Sequence, residues 1–199
     1  LIIDETHTIC CGPGGYTREY GLKPDMITIG KPIASGVPAA VYGFSQEVAR
    51  LVQKNTDIEN ADIGGTGGTL SGNALSIAAM KATLNNILTK ESFDHMIKVA
   101  SRFEKSLTRI IEERNLPWYV SRLGCRVEYG FTKKAPQSGG EAASVVDREL
   151  ENFMHLAMLN RGILMTPFHN MALMCPQTTE NDVDTHAEIF NEVISSITS

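Results

Sequence analysis

No run of about 20 apolar residues occurs in this 199-residue chain, so the sequence offers no membrane-spanning helix. Positive charge is also in short supply. Eighteen Lys and Arg stand against 23 Asp and Glu, a net charge of −5, and no Lys/Arg-rich run is present. Nonspecific nucleic-acid binding needs clustered cations that release counterions, so it is not expected. Cysteine is scarce: four in all, with Cys10 and Cys11 adjacent. That is a poor disulfide framework and suits a reducing, cytoplasmic compartment. His7 with Cys10 and Cys11 has no second ligand pair at finger-like spacing, so no metal is expected. A G-x-S-x-G nucleophile elbow is missing too.

What is present has an ordinary globular balance, 42% hydrophobic and 21% charged, which excludes a disordered tail, a collagen-like fibre and a coiled coil. The chain opens at Leu1-Ile2-Ile3-Asp4, inside an apolar strand-like run without Met or signal peptide. It reads as the C-terminal part of a longer protein. Twelve of the 17 glycines fall before residue 73, which marks the first third as the ligand-handling portion.

Leu1–Ile3 has the continuous apolar character of a strand buried on both faces of a parallel sheet. Met26–Ile29 and Ala39–Phe44 are further strands, and Ser45–Lys54 is a helix opened by a Ser cap. Thr69–Leu88 is expected to be helical, with Asn73 as a possible cap and Leu75, Ala78, Ala79, Ala82 and Leu84 as its apolar face. Lys90–Asn115 is a long amphipathic helix, with Phe93, Ile97, Ala100, Phe103, Leu107, Ile110 and Ile111 at three-to-four spacing. Trp118–Phe131 reads as strands around a turn at Gly124, and Lys133–Ala143 as a mobile loop. Helices over Val145–Asn160 and Asn181–Ile197 follow, with short strands at Ile163–Thr166 and Ala172–Cys175 between them. The expected organisation is a glycine-rich α/β portion over 1–92 and an α+β unit over 93–199.

Asp4 and Lys31 each directly follow an apolar strand, and ligands of open α/β sheets gather off the carboxyl ends of strands. Taken singly, Asp4 could cap a turn and Lys31 could be a solvated loop lysine. A third element is Gly67-Gly68-Thr69-Leu70-Ser71-Gly72-Asn73 at the mouth of a helix, where backbone N–H groups and the Thr69 hydroxyl suit a phosphate. This is no Walker A loop, because Asp25 stands where its leading glycine belongs and Pro32 follows the lysine. Neither glycine cluster fits G-x-G-x-x-G. Carboxylate, lysine and phosphate cradle together suit pyridoxal 5′-phosphate (PLP): an amine to bond the aldehyde, an anion to keep the pyridine protonated, and neutral donors for the phosphate.

Three stretches carry a family resemblance: Leu1-Ile-Ile-Asp-Glu-Thr-His-Thr, Tyr20-Gly-Leu-Lys-Pro-Asp-Met-Ile-Thr-Ile-Gly-Lys31, and Gly68-Thr-Leu-Ser-Gly-Asn73. They resemble the class III PLP-dependent aminotransferases, nearest to the glutamate-1-semialdehyde aminomutase and β-amino-acid aminotransferase branch. The resemblance implies a fold-type I PLP transferase (α/β), with part of the large-domain sheet in 1–92 and the small C-terminal domain in 93–199. It implies that Asp4 partners the pyridine nitrogen, Thr6 takes the place of a Val or Ile packed on the ring, and His7 stands where Gln is frequent, near the phenolic oxygen. Lys31 matches the Schiff-base lysine. Gly68 and Thr69 match the segment that reaches the other subunit's phosphate, which implies a homodimer. Pro167–Ala172 departs from the glutamate-bearing pattern of the semialdehyde aminomutases. The implied reaction moves an amino group from a small-molecule donor to a keto acceptor. Intramolecular transfer of the aminomutase type uses the same residues, and a non-catalytic fragment that kept the fold is the reading of another class.

Overall fold

The computed structural model describes residues 1–55, 67–166 and 169–197. The chain divides into two compact units, Leu1–Phe93 and Asp94–Ser199.

In the first unit, β1 (Ile2–Asp4) runs parallel to β2 (Met26–Ile29), and β3 (Val41–Phe44) runs antiparallel to β2, giving a sheet of order β1-β2-β3. Between β1 and β2 lie a 3-10 helix over Thr8–Cys11 and the short α1 (Gly15–Glu19). A second 3-10 helix, Lys31–Ala34, follows β2. Next come α2 (Gln46–Asn55), with Ser45 Oγ accepting from the Val48 amide, and α3 (Ala74–Asn86), capped as expected by Asn73. Two expectations fail here. Leu1 and Ile2 are 70% and 64% exposed, because β1 is an edge strand paired only with β2 among the described residues. On α3 the buried side chains are Ser76 and Thr83, two turns apart, while Leu75, Ala78, Ala82 and Leu84 face outward. The small polar side is buried because hydrogen bonds hold it: Ser76 donates to the Pro38 carbonyl at 2.8 Å, and the Thr83 hydroxyl meets Ser35 Oγ at 2.9 Å.

The second unit is built on α4 (Lys90–Glu113), whose first turn belongs to the preceding unit. Met96, Val99, Ala100, Phe103, Leu107, Ile110 and Ile111 are buried, whereas Ile97, expected inside, is only half-buried. The hairpin β4 (Tyr119–Leu123) and β5 (Arg126–Gly130) turns at Gly124, where φ is +57°, and β6 (Met171–Leu173) pairs with β5. The Lys133–Ala143 segment is not all loop. Ser138 caps α5 (Gly139–Ser144) by accepting from the Glu141 amide. Asp147, rather than a residue near Val145, starts α6 (Arg148–Leu159). Ile163–Thr166 forms no strand, since Gly162 in the left-handed region ends the helix and the chain then finds no ladder partner there. Helix α7 (Glu180–Ser195) opens with a Thr179/Asp182 capping box.

Tyr129 and Phe190 rings meet edge-on at 5.2 Å in the core, beside Met154 and Met158, which are fully buried. Methionines 165 and 174 are buried as well, and Met171 is half-buried. Arg161 caps its own helix, donating to the Ala157 carbonyl at 2.9 Å. Among the described residues no helix is long and apolar enough to cross a membrane.

Candidate active site

The site lies wholly in the first unit and is set by strand direction. β1 and β2 are parallel with Asp4 beside Thr28, so their carboxyl ends leave the sheet together. Asp4 closes β1, and Lys31 stands two residues past β2. Both side chains are exposed at that edge.

Asp4 is held as an anion. The Thr6 hydroxyl and then the Thr6 amide, at 2.8 Å from Oδ1, lower its carboxyl below the usual range, with smaller contributions from the Thr28 hydroxyl and the Lys31 charge. Thr6 therefore directs its hydroxyl to Asp4, a use that its place in the family pattern did not announce.

Lys31 has φ of +53°, one of three non-glycine residues with positive φ among those described. Such backbone costs about 1–2 kcal/mol outside glycine and persists only where its surroundings over-determine it. Those surroundings are visible. Ile33 and Ala34 are 2% and 1% exposed, and the Ser35–Thr83 contact pins the end of the turn to α3. The amine is thereby aimed: Lys31 Nζ stands 2.6 Å from His7 Nε2.

Gly68 and Thr69 sit on an exposed turn ahead of α3. Gly68 has φ of +81° and open space where a Cβ would stand. Among the described residues no hydrogen bond joins either of them to Asp4 or Lys31. The glycine-rich residues 62–66 lie outside the described residues, as does Pro167-Phe168.

The sequence reading missed Glu5, which is fully buried directly behind Asp4. It accepts from the Thr8 hydroxyl and from the Tyr16 (3.0 Å) and Thr17 amides. Burial by itself raises its carboxyl, but the hydrogen bonds from Thr17, Thr8 and Tyr16 outweigh that and hold it below the usual range. Glu5 thus ties the loop after β1 to the start of α1 and fixes the backbone that carries Thr6 and His7. The available signal was Gly12-Pro13-Gly14-Gly15: a Cβ at Gly15 would overlap the Glu5 carboxylate. Cys10 and Cys11 are buried beside it. Burial first, and Cys10 second, push the Cys11 thiol up to about 12, which keeps it protonated and a poor metal ligand. Among the described residues no three His, Cys, Asp or Glu side chains gather as a metal set.

An anion and an oriented amine stand at the carboxyl ends of one parallel strand pair, in a fold that the comparisons identify as that of the fold-type I PLP enzymes. The profile of the family Aminotransferase class-III matches residues 1–194, and the chain belongs to that family. The family is PLP-dependent.

Individual relatives narrow the neighbourhood. A glutamate-1-semialdehyde 2,1-aminomutase of Thermus thermophilus is 33% identical over 98% of this chain and 44% of its own length. A crystal structure of a glutamate-1-semialdehyde aminomutase from Pseudomonas aeruginosa superposes with a TM-score of 0.93 at 46% identity, over 99% of this chain and 44% of that one. A lysine-to-alanine form of that enzyme was crystallised in complex with PMP. The β-phenylalanine aminotransferase of Variovorax paradoxus shares the fold, with a TM-score of 0.81 at 22% identity, over 98% of this chain and 44% of its own. The chain spans about 44% of the length of the relatives named here.

Proposed function

We propose that this chain carries the lysine-bearing part of a PLP-dependent amino-transferring enzyme, with residues 1–92 completing a large cofactor domain and 93–199 forming a small domain. One observation carries the reading: Asp4 and Lys31 emerge side by side from adjacent parallel strands, the first held anionic and the second turned toward the same edge by strained backbone. The residues present fit the cofactor in chemistry, with an amine for its aldehyde, a persistent anion for its pyridine nitrogen and an open glycine turn with a hydroxyl for its phosphate. Bound there, PLP would supply the aldehyde carbon that carries amino groups and the ring that accepts electrons from a carbanion.

The chain's own residues have distinct tasks in this reading. Lys31 would hold the cofactor's aldehyde through Nζ, and the same Nζ, when free, would take up and return a proton. Asp4, held charged, would favour a protonated ring nitrogen, since a close opposite charge raises a partner base's pKa by about 1–3. Thr6 orients Asp4. Gly68 and Thr69 are exposed, and the exposed apolar α3 that follows them supports a homodimer in which they serve the partner's phosphate. The substrates are a small-molecule amino donor and a keto acceptor. Intramolecular transfer of the aminomutase type is the second reading, favoured by the names of the relatives at 33% and 46% identity. None of the four cysteines is in a disulfide, which suits a cytoplasmic setting.

Borohydride reduction in the presence of PLP tests the assignment. The pyridoxyl label is expected on Lys31 by peptide mass spectrometry, and Lys31→Ala should abolish it. A dominant label on another lysine sinks the assignment.

A further inference from the structure

His7 and Lys31 are 24 positions apart in sequence, yet their side-chain nitrogens meet at 2.6 Å. A lysine ammonium carries donors only, so His7 Nε2 is the acceptor and bears an unprotonated lone pair. Neither partner is free to drift. His7 stands at the N-terminus of the Thr8–Cys11 helix, which is anchored by buried Cys10 and Cys11 and by the Glu5 contact to Thr8. Lys31 is held by the buried Ile33 and Ala34 and by its left-handed backbone. A surface lysine that only needed solvating would require none of this.

We propose that His7 is the general base for Lys31: its Nε2 takes the protons that Nζ sheds while this nitrogen bonds an aldehyde carbon, and delivers them to the departing oxygen. The inference rests on Lys31 being the aldehyde-bonding lysine. The balance is closed. His7 first takes the ammonium proton from Nζ and passes it to solvent; the Nζ lone pair so freed forms the C–N bond as the carbonyl pair moves to oxygen, and His7 accepts one amine proton and returns it to that oxygen. The second amine proton follows the same route as the C–N double bond forms and the oxygen leaves as water, so His7 ends neutral. Among the described residues the charged groups beside this pair in the strand ends and loop are Asp4, Glu5 and Lys31 itself, and the charges of Asp4 and Lys31 interact. A glutamine at this position could accept a hydrogen bond but could not carry a proton, which separates catalysis from positioning.

The test needs no cofactor. The purified chain is treated with formaldehyde and cyanoborohydride at neutral pH, the latter supplying the hydride, and methylation of Lys31 is followed by mass spectrometry against exposed Lys23. His7→Gln and His7→Phe should each slow the Lys31 reaction about a hundredfold, at the modest end of general-base effects, and leave Lys23 unchanged. If His7→Gln reacts at the parent rate, His7 only holds the amine and the proposal fails. Equal rates in all three proteins also overturn it. PLP trapping with borohydride is run in parallel: a label on Lys31 throughout keeps the site reading whatever the methylation shows, and a label elsewhere in the parent chain overturns the site reading itself.

Discussion

His186 sits in the core of the second unit, 5% exposed, with its ring 4.5 Å from Phe103 and 6.0 Å from Phe190. Among the described residues neither ring nitrogen has a hydrogen-bond partner. Burial pushes its pKa down from 6.5 to about 4. The unfolded chain therefore binds a proton at His186 below about pH 6.5 that the folded chain refuses until about pH 4, and stability falls as pH drops through that window. The loss from this residue is about 3 kcal/mol across the window, at ~1.4 kcal/mol per pH unit. His186→Phe should flatten the dependence and raise stability, read by denaturant melts at pH 7 and pH 4.5. An unchanged slope in the variant would falsify the assignment. No local signal in the sequence marks His186 as enclosed; only its neighbours on α4 and α7 reveal it.

At the scale of elements, the loop between β1 and β2 depends on one buried carboxylate. Glu5 serves donors from the Thr8–Cys11 helix and from the first turn of α1, and Gly15 yields the space it occupies. Gly15 and Gly21 share a left-handed backbone, with φ of +63° and +60°, but a Cβ at Gly21 meets open space. Gly21→Ala is thus expected to show backbone strain alone, about 1 kcal/mol. Gly15→Ala should lose clearly more in thermal melts, and a Glu5→Ala background should narrow the gap by removing the carboxylate that the new methyl strikes. Equal losses at the two glycines would mean that Glu5 is not the obstacle. Two helix starts, by contrast, were legible: Ser45 and Asn73 are local signals, because a cap is built from residues within one turn, whereas the Thr179/Asp182 box that opens α7 was not read.

Across the whole molecule, apolar surface is left open at several places among the described residues, and two of them in the first unit bear on association. Leu1 and Ile2 line the free edge of the sheet, and Leu75, Ile77 and Leu84 on α3 are 71%, 48% and 49% exposed. Open strand edges and apolar patches invite association. The purified chain should increase in apparent mass with concentration by light scattering, and Leu75→Glu with Ile77→Lys should weaken that rise. A chain that stays monomeric at every accessible concentration would show that these faces need no cover.

The sequence by itself determined the family, the cofactor chemistry and most of the elements. These are written in local signals: apolar runs ending at Asp4 and before Lys31, the glycine turn at Gly68, and the three-to-four spacing of α4. It also determined which residue types were available at the site. Tertiary structure alone decided what those residues do to one another. The 2.6 Å approach of His7 to Lys31, the burial of Glu5 behind Asp4 and the outward turn of the α3 leucines join positions far apart in the chain or depend on what lies across from a face. Periodicity states that a helix has an apolar side, but which side is covered is settled by the partner surfaces and hydrogen bonds that reach it. On α3, Ser76 and Thr83 found theirs, and the leucines face outward.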